Sequence, residues 1–336
     1  MRAMILERTC SLLENDHPLR MVELSKPVPD RREVLLEVTA CGVCHTELDE
    51  IEGRASPPRL PVVLGHEVVG RVVALGVDVD QRVLGERVGV GWIHSSSGDR
   101  EENVSPEFKA TGRDVNGGYS EYMCVPYEYA YRLPEVFSDV EAAPLLCAGA
   151  IGYRALRLTG ISDGDALGLT GFGGSAHLVL QLSKLLYPNS PVYVFARDEQ
   201  TRSFAAQLGA DWVGATEDRA PIGLKAVIDT TPAWFPVVQA LVNLKPGGRL
   251  VINAIRKEDA DKEKLLDLDY GKHLWLEKEI KSVANITHFD IREFLEVAAN
   301  GRIRVEVETY PLEDANKALV ALKRHTTRGA KVLTVR

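Results

Sequence analysis

The feature that most constrains the fold is a regular alternation of apolar runs and helix-forming segments in the second half of the chain. Apolar runs predict strands at residues 166–170, 191–196, 226–229 and 249–254. The segments between them predict helices at residues 174–186, 199–208 and 233–244. Apolar strands without polar alternation are buried on both faces, as in a parallel sheet covered by helices. This part of the chain therefore predicts a parallel, doubly wound sheet.

A glycine-rich turn lies between the first of these strands and its helix. It reads Gly171-Phe172-Gly173-Gly174-Ser175-Ala176. Gly171 permits a tight turn, Gly173 lets the backbone approach a bound group, and Ala176 replaces a third glycine that the pattern does not strictly need. Amides at the helix start favour a pyrophosphate. Glycines alone indicate only a helix entry, but this strand–turn–helix context predicts a dinucleotide site.

The first 150 residues have a different sequence pattern, which predicts short strands separated by glycine and proline. Strands are predicted at residues 1–6, 19–24, 33–38 and 67–75, and a short helix just after Cys44. The last 50 residues predict a helix at 291–299, a strand at 304–307, a helix at 313–323 and a strand at 330–335. We expect this last segment to return to the first domain, which otherwise has many strands and few covering helices.

Three widely spaced residues, Cys44, His66 and Cys147, form a candidate metal site. Two thiolates and an imidazole can hold zinc with one coordination position open, which a Lewis-acid catalyst needs. A lone histidine is more often satisfied by a backbone carbonyl in the core. A zinc site combined with a dinucleotide site is typical of an alcohol or aldehyde oxidoreductase.

The segments around these residues read Cys41-Gly42-Val43-Cys44-His45-Thr46-Glu47, Gly65-His66-Glu67 and Leu145-Leu146-Cys147-Ala148-Gly149. With them the chain resembles, over essentially its whole length, the zinc-dependent alcohol dehydrogenases of the medium-chain dehydrogenase/reductase superfamily. The resemblance implies an α/β fold with two domains. A GroES-like, mainly-β catalytic domain would span residues 1–155, completed by 288–336, and a Rossmann dinucleotide-binding domain would span 156–287.

The resemblance also implies a role for each residue of the metal site. Cys44, His66 and Cys147 correspond to the zinc ligands, and Cys41 to a packed thiol outside the site. Glu67 corresponds to a carboxylate that supports the site, and Glu47 to the acid that orients it.

The proton path would begin at Thr46, whose family counterpart hydrogen-bonds the substrate oxygen. His45 corresponds to a residue near the cofactor phosphates. Relatives often carry a relay histidine where this chain has Asp49, so the outward proton path differs here, although a carboxylate also accepts protons. Trp92 corresponds to a residue that narrows the pocket in relatives acting on small alcohols, with ordinary core packing as the alternative.

One part of the family pattern is missing. Relatives often hold a second, structural zinc with four clustered cysteines, but residues 92–103 contain none, and Ser97, Arg100 and Asn103 stand where thiolates would recur. Neutral or cationic groups cannot replace four thiolates around zinc. We therefore predict one catalytic zinc per chain and no structural zinc.

The coenzyme preference follows from the end of the second strand of the doubly wound sheet. NAD enzymes place an acid there for the ribose hydroxyls, and counting back from the family-like Leu208-Gly209-Ala210-Asp211 motif puts that position at Ala196. Arg197 follows and offers a planar partner for a 2′-phosphate, which favours NADP(H) over NAD(H). Two alternatives remain: Arg197 stacks on adenine or points to solvent, and Asp198 serves NAD.

Bulk composition excludes several other classes of function. A net charge of −8 argues against nucleic acid or an anionic membrane as the main partner. The N-terminus becomes polar too early for a signal peptide, and five scattered cysteines do not form a disulfide framework, so we expect a cytoplasmic protein. We expect a homodimer or homotetramer, as in relatives.

The sequence therefore predicts a zinc-dependent enzyme that transfers hydride between a primary alcohol or aldehyde and a nicotinamide cofactor. Two alternatives stay open. A zinc-free quinone or enal reductase of the same superfamily would lack the Cys/His/Cys trio, and a non-catalytic dinucleotide-binding protein would keep the fold without turnover.

Overall fold

The computed structural model describes residues 1–324 and 329–335. Its strands, in chain order, are β1 (Arg2–Leu6), β2 (Leu19–Glu23), β3 (Glu33–Val43), β4 (Val62–Val63), β5 (Val68–Leu75), β6 (Arg87–Val90), β7 (Ile93–Ser95), β8 (Lys109–Ala110), β9 (Tyr122–Pro126), β10 (Tyr131–Arg132), β11 (Leu167–Thr170), β12 (Val192–Phe195), β13 (Trp212–Gly214), β14 (Leu224–Asp229), β15 (Leu244–Ile252), β16 (Glu279–Ser282), β17 (Val307–Pro311) and β18 (Ala330–Thr334).

The α-helices are α1 (His45–Ile51), α2 (Asp139–Ala142), α3 (Ala148–Thr159), α4 (Ala176–Leu186), α5 (Glu199–Gln207), α6 (Phe235–Asn243), α7 (His288–Gly301) and α8 (Ala315–Lys323). The chain also forms short 3₁₀ turns, among them Glu102–Val104 and Ala143–Leu146. The chain divides into two compact units, one of Met1–Ala150 with Ile286–Arg336 and one of Ile151–Asn285.

The first unit is built around a mainly antiparallel sheet in the order β10-β6-β5-β3-β18-β17, with β9 also paired to β3. Its central strand β3 is buried along most of its length. A smaller sheet has the order β2-β1-β4, and β7 pairs with β8. The C-terminal strand β18 pairs antiparallel with β3, opposite Cys41 and its neighbours.

The second unit is a parallel sheet in the order β13-β12-β11-β14-β15-β16. The chain moves outward from β11 to β13 and then crosses to β14 on the other side, so the order reverses between β11 and β14. A topological switch point of this kind is where ligands bind in doubly wound sheets. The predicted parallel, doubly wound sheet is confirmed.

Two local predictions differ from the structure at the C-terminal side. The predicted strand at 304–307 is wrong, because the backbone pairs only from Val307 onward in β17. Ile303 and Val305 are buried while their neighbours are exposed, so an unpaired segment imitates the alternation of a strand. Helix α7 also starts earlier than predicted, because Thr287 and Asp290 form a reciprocal capping box at its first turn.

Candidate metal centre and dinucleotide turn

Two neighbouring strands bring Cys44 and His66 together. Cys44 directly follows β3, and His66 lies just before β5. These strands are antiparallel neighbours, and the Gly42 amide donates to the Glu67 carbonyl at 2.9 Å. The end of β3 and the beginning of β5 therefore lie side by side, although they are distant in sequence.

Cys147 completes the group from a third element. It lies between the 3₁₀ turn Ala143–Leu146 and helix α3. The ligand atoms of Cys44, His66, Glu67 and Cys147 all lie within 4.8 Å of one another. Within residues 1–324 and 329–335, this is the one cluster of three or more Cys, His, Asp or Glu ligand atoms at such distances. The structure thus brings the three predicted ligands together and places the Glu67 carboxylate beside them.

The donors fit a zinc ion. Two sulfurs, an imidazole nitrogen and a carboxylate oxygen are all ligand types that zinc accepts. His66 is fully buried, and its Nε2 has no hydrogen-bond partner in the part of the chain that the structure describes. A buried polar atom without a partner is costly, and a metal ion bound at this nitrogen would remove that cost.

Glu47 orients the imidazole from the opposite side. Its Oε1 lies 2.6 Å from His66 Nδ1, although the two atoms are not aligned as a hydrogen bond. Its Oε2 accepts from the Cys44 amide at 2.8 Å. Glu47 is fully buried, and burial raises its pKa. One carboxylate therefore touches two of the predicted ligands, which is how a neighbouring acid fixes ligand geometry.

The two thiols influence each other strongly. The hydrogen bond from Cys147, helped by His66, lowers the pKa of Cys44 well below its usual value against the opposing effect of burial. The Cys44 thiolate and burial raise the pKa of Cys147 well above its usual value. Burial also raises the pKa of Glu67. A divalent cation would balance the charge of two thiolates here, because metal binding and thiol ionisation are coupled.

Helix α1 carries Thr46 and Asp49, the two residues considered for the proton path, and His45, which was predicted to lie near the cofactor phosphates. Thr46 is buried, with its Oγ1 3.6 Å from Cys44 Sγ, next to the donors. His45 is exposed at the beginning of the helix. Asp49 is buried, and its Oδ1 accepts from Arg54 Nε at 2.7 Å. The structure therefore places Thr46 at the metal centre and engages Asp49 with an arginine that the sequence analysis did not single out.

Trp92 borders the same centre. Its ring centroid lies 6.1 Å from that of His66 and 5.4 Å from that of Phe108, which meets it edge-on. The Arg113 guanidinium lies 5.9 Å from the indole centroid. A large aromatic side chain thus stands beside His66, where it can limit the space for a substrate.

Cys41 stands apart from the donor group. It is fully buried in β3, and burial raises the pKa of its thiol well above the usual value. A Cβ atom at Gly65 would lie 2.8 Å from its sulfur, so the thiol fills space against the backbone beside His66. Packing of this kind is ordinary for a free cysteine.

Sequence reasoning missed Glu50. Its side chain is fully buried, and neither carboxylate oxygen has a hydrogen-bond partner among the residues with described positions. Burial raises its pKa well above the usual value, with Glu47 adding to the shift. The available signal was helical periodicity, because residues three apart in α1 share a face and Glu47 already pointed inward.

The cysteine-free lobe is held by a buried carboxylate. Glu102 is fully buried in the 3₁₀ turn Glu102–Val104. Its Oε2 accepts from the Tyr129 hydroxyl at 2.9 Å, and its Oε1 accepts from the His288 amide at 2.5 Å and lies 2.7 Å from His288 Nδ1. The acid therefore links the lobe to the first turn of α7, where negative charge is favoured.

In the second unit, the glycine turn has the features of a phosphate cradle. Gly171 has φ +77°, a conformation that favours glycine. A Cβ added at Gly173 would meet no described atom within 4 Å, so protein packing does not require a glycine there. Helix α4 begins at Ala176 without a side-chain cap on its first amides. Open space beside uncapped helix amides suits a pyrophosphate.

The other residues of this turn have packing roles. Phe172 is largely buried and meets Phe204 edge-on, with ring centroids 5.6 Å apart. Ala176 is fully buried, where a larger side chain would separate the helix from the sheet.

The loop after β12 holds the residues predicted to select the coenzyme. Ala196 is buried and Arg197 is exposed. Arg202 donates to the carbonyls of both, at 2.8 and 2.9 Å, and so fixes the loop backbone. Asp198 caps α5, because its two oxygens accept from the Thr201 amide at 2.7 Å and the Thr201 hydroxyl at 2.8 Å.

Comparison with known proteins agrees with this architecture. Residues 30–135 match the family model of the alcohol dehydrogenase GroES-like domain. A probable alcohol dehydrogenase, AdhA, of Mycobacterium tuberculosis (strain CDC 1551 / Oshkosh) is 40% identical over 329 residues, which cover 95% of this chain and 93% of the relative. An alcohol dehydrogenase of Geobacillus stearothermophilus is 33% identical, covering 95% and 96%.

Among solved structures, a cinnamyl alcohol dehydrogenase of Sorghum bicolor superposes with a TM-score of 0.85 at 26% identity, covering 99% of this chain and 97% of the other. The chain belongs to the zinc-type alcohol dehydrogenase family of the medium-chain dehydrogenase/reductase superfamily. The predicted α/β fold, with GroES-like and Rossmann parts, is thereby confirmed.

The protein is accordingly an NAD(P)-dependent oxidoreductase. Of the helices in the described residues, none combines the length and the apolar character needed to span a bilayer.

Proposed function

We propose that this protein is a zinc-dependent alcohol dehydrogenase or aldehyde reductase that favours NADP(H) and acts on primary alcohols or aldehydes. The observation that carries the proposal is the cluster of Cys44, His66 and Cys147, in which the buried His66 Nε2 has no protein partner among the described residues. Zinc bound there would supply a Lewis acid, and the nicotinamide cofactor would carry the hydride.

Residues of the chain itself would transfer the proton and shape the substrate pocket. Thr46 carries a buried hydroxyl next to Cys44, where it can accept the proton of an alcohol and pass it on. Trp92 would form an apolar wall and favour small or flat substrates. We assign Glu67 and Glu47 to holding the ligands in place, because both carboxylates are buried beside them.

The path of the proton beyond Thr46 would differ from a histidine relay. Asp49 occupies the relay position, but Arg54 already donates to its Oδ1. His45 is exposed on the first turn of the same helix, and we keep for it the role toward the cofactor phosphates that the family resemblance implies.

The preference for NADP(H) is supported by the loop after β12. Asp198 is the acid that would otherwise serve NAD, yet both of its oxygens cap helix α5. Arg197 is exposed, and its guanidinium has no hydrogen-bond or ion-pair partner in the described parts of the chain. An uncommitted arginine next to Ala196 is suited to a 2′-phosphate.

We also propose one zinc per chain. The lobe that would carry a structural zinc has no cysteine, and Glu102 links it to α7 by hydrogen bonds. A homodimer or homotetramer, a cytoplasmic location and the domain limits 1–155 with 288–336 and 156–287 remain part of the proposal. Light scattering on the purified protein tests the oligomeric state.

One experiment tests the main proposal. The purified enzyme is assayed on a panel of primary alcohols and aldehydes, cinnamyl alcohol included, with NADPH and with NADH, and its zinc is measured on the same preparation. We expect turnover, a lower KM for NADPH, and one zinc per chain that a chelator removes together with activity. Turnover of quinones or enals by a metal-free sample would favour the zinc-free reductase, and binding of coenzyme without turnover would favour a non-catalytic protein.

A further inference from the structure

A buried ion pair lies in the second unit, at the carboxyl end of strand β14. Asp229 is the last residue of β14 and is fully buried, and the side chain of Lys257 is 7% exposed. Lys257 Nζ donates to Asp229 Oδ2, and the other oxygen, Oδ1, accepts from Thr170 Oγ1 at 2.6 Å and from Thr231 Oγ1 at 2.8 Å. The carboxylate is therefore bonded on both oxygens.

Lys257 is fully engaged as well. Besides Asp229, its ammonium donates to the carbonyls of Thr231 at 2.8 Å and Ala233 at 3.0 Å. An ammonium has three protons, and all three are used. Lys257 is thus no candidate for binding a phosphate directly, and its role is to hold the segment 229–233 in one conformation.

This segment lies against the glycine turn. Thr230 donates to the Thr170 carbonyl through its amide at 3.0 Å and its hydroxyl at 3.1 Å. A Cβ atom at Gly171 would lie 2.8 Å from Thr231 Cγ2 and 2.9 Å from Thr230 Oγ1. A small shift of segment 229–233 would therefore push on the turn or open a gap behind it.

The place of the pair in the sheet gives it a functional meaning. Thr170 ends β11 and Asp229 ends β14, the two strands between which the strand order reverses. A buried ion pair often adds little net stability over apolar residues of similar size, and its best-attested benefit is a unique arrangement. At the switch point, an ion pair would fix the geometry of the crevice in which the ligand binds.

We propose that Asp229 and Lys257 are positioning residues of the coenzyme site, which hold segment 229–233 so that the Gly171–Ala176 turn keeps the shape that a dinucleotide pyrophosphate needs. This inference rests on the proposed use of a nicotinamide coenzyme. The inference goes beyond the proposed function, because it assigns a role to two residues that would not contact the coenzyme themselves.

The test compares the wild type with K257M, which keeps most of the side-chain length and removes the charge. K245M is the matched control, because Lys245 forms an ion pair with Asp165 (3.1 Å) in the same unit, at the beginning of strands β11 and β15. The dissociation constants of NADPH and NADH are measured by fluorescence titration without substrate. We expect K257M to weaken binding of the preferred coenzyme by about tenfold or more and K245M by less than about twofold.

Three further readouts separate positioning from plain structural support. For K257M we expect a higher coenzyme KM with kcat little changed at saturating coenzyme, and faster amide exchange in residues 171–175 and 229–234 only. The double variant D229L/K257M should regain the melting temperature that K257M loses and still bind coenzyme weakly. T170V removes a single hydrogen bond to Asp229 and provides a milder variant if K257M does not fold, with an expected weakening of about two- to fivefold.

The outcomes are distinguishable. Normal coenzyme binding by K257M or T170V, or recovery of both stability and affinity in D229L/K257M, would overturn the positioning role and leave the proposed function intact. A wild type that binds neither NADPH nor NADH would contradict the proposed function itself and this inference with it.

Discussion

At the scale of single residues, His66 Nε2 is a buried polar atom without a hydrogen-bond partner among the described residues. It is buried beside two thiols whose pKa values are driven in opposite directions, since Cys44 is ionised more easily and Cys147 less easily than usual. A metal ion satisfies the nitrogen and both sulfurs at once, which no single hydrogen-bond donor could do.

Replacing either cysteine of the centre tests this directly. Cys44→Ser or Cys147→Ser should remove both zinc and activity, because a neutral hydroxyl is a much poorer ligand than a thiolate. Cys41→Ala is the control, because its thiol is packed away from the donors. Elemental analysis and turnover are measured on all three variants. Loss of zinc in Cys41→Ala, or its retention in Cys44→Ser, would contradict the assignment.

Thr46 gives a second prediction. Thr46→Val keeps the shape of the side chain and deletes the hydroxyl next to Cys44, so zinc should remain while kcat falls by roughly 10²-fold or more. Thr46→Ser, which restores the hydroxyl, should recover most of the loss. Equal turnover in the valine and serine variants would remove the hydroxyl from the mechanism.

The proposed preference for NADP(H) rests on a single residue, Arg197. A charge-assisted hydrogen bond is worth roughly 1.5–3 kcal/mol, or about 10–150-fold in affinity. Arg197→Ala should therefore raise the KM for NADPH within that range and leave the KM for NADH nearly unchanged. Ala196→Asp should shift preference toward NADH by accepting ribose hydroxyls and repelling the phosphate. A wild type that prefers NADH by about tenfold would exclude Arg197 as a phosphate ligand.

At the scale of elements, the lobe that includes strand β7 depends on one acid. Glu102 joins it to the first turn of α7 through His288 and to Tyr129. The sequence shows that this lobe has no cysteines, and the structure shows that a buried carboxylate links it to α7. Hydrogen bonds to such a carboxylate can be strong because water is excluded.

Glu102→Gln should destabilise the protein by about 1–3 kcal/mol, because an amide places N–H groups against the donors of Tyr129 and His288. Thermal and urea unfolding measure the loss. Glu101→Gln is a matched control, since its side chain is exposed on the same turn and should change stability by less than about 0.5 kcal/mol. Equal stability of the two variants would mean that the lobe is held by other contacts.

At the scale of the whole molecule, His94 is expected to influence stability at acid pH. Its side chain is 12% exposed, and burial, helped by the charge of Lys109, lowers its pKa to about 4 against the opposing effect of Asp114. Glu33 lies 4.0 Å away and offers only weak compensation. The folded protein therefore resists a proton that the unfolded chain accepts near its normal pKa.

Protonation of His94 therefore does not reduce the free energy of unfolding above about pH 6.5. As pH falls from 6.5 toward 4, it lowers this free energy by up to roughly 3 kcal/mol. The free energy of unfolding rises with pH in this interval, because the unfolded state binds more protons than the folded state. Urea unfolding at a series of pH values should show a smaller loss for His94→Gln, which cannot gain a proton. Parallel pH dependence in the variant and the wild type would exclude His94 as a cause.

Much of this architecture followed from local pattern. The alternation of apolar strands and helices between β11 and β15 predicted the parallel sheet, because burial on both faces leaves a continuous apolar signal. The predicted helix at 199–208 differs from α5 by one residue, since a capping aspartate marks its start. The prediction of a strand at 304–307 was wrong, because alternating burial alone does not require strand pairing.

Residue types and family resemblance were enough to nominate Cys44, His66 and Cys147, because few side chains can bind zinc. They could not reveal Glu50, Arg54 or the Asp229–Lys257 pair, since a charged residue in a sequence is most often solvated. Whether such a residue is buried, and which partner it meets, depends on strands and loops that are remote in sequence. The sequence by itself determined the fold class and the metal-binding residue types, through periodicity and ligand chemistry. Only the tertiary structure decided which charges are buried and paired, because the free energy of a charge is set by its surroundings rather than by its neighbours along the chain.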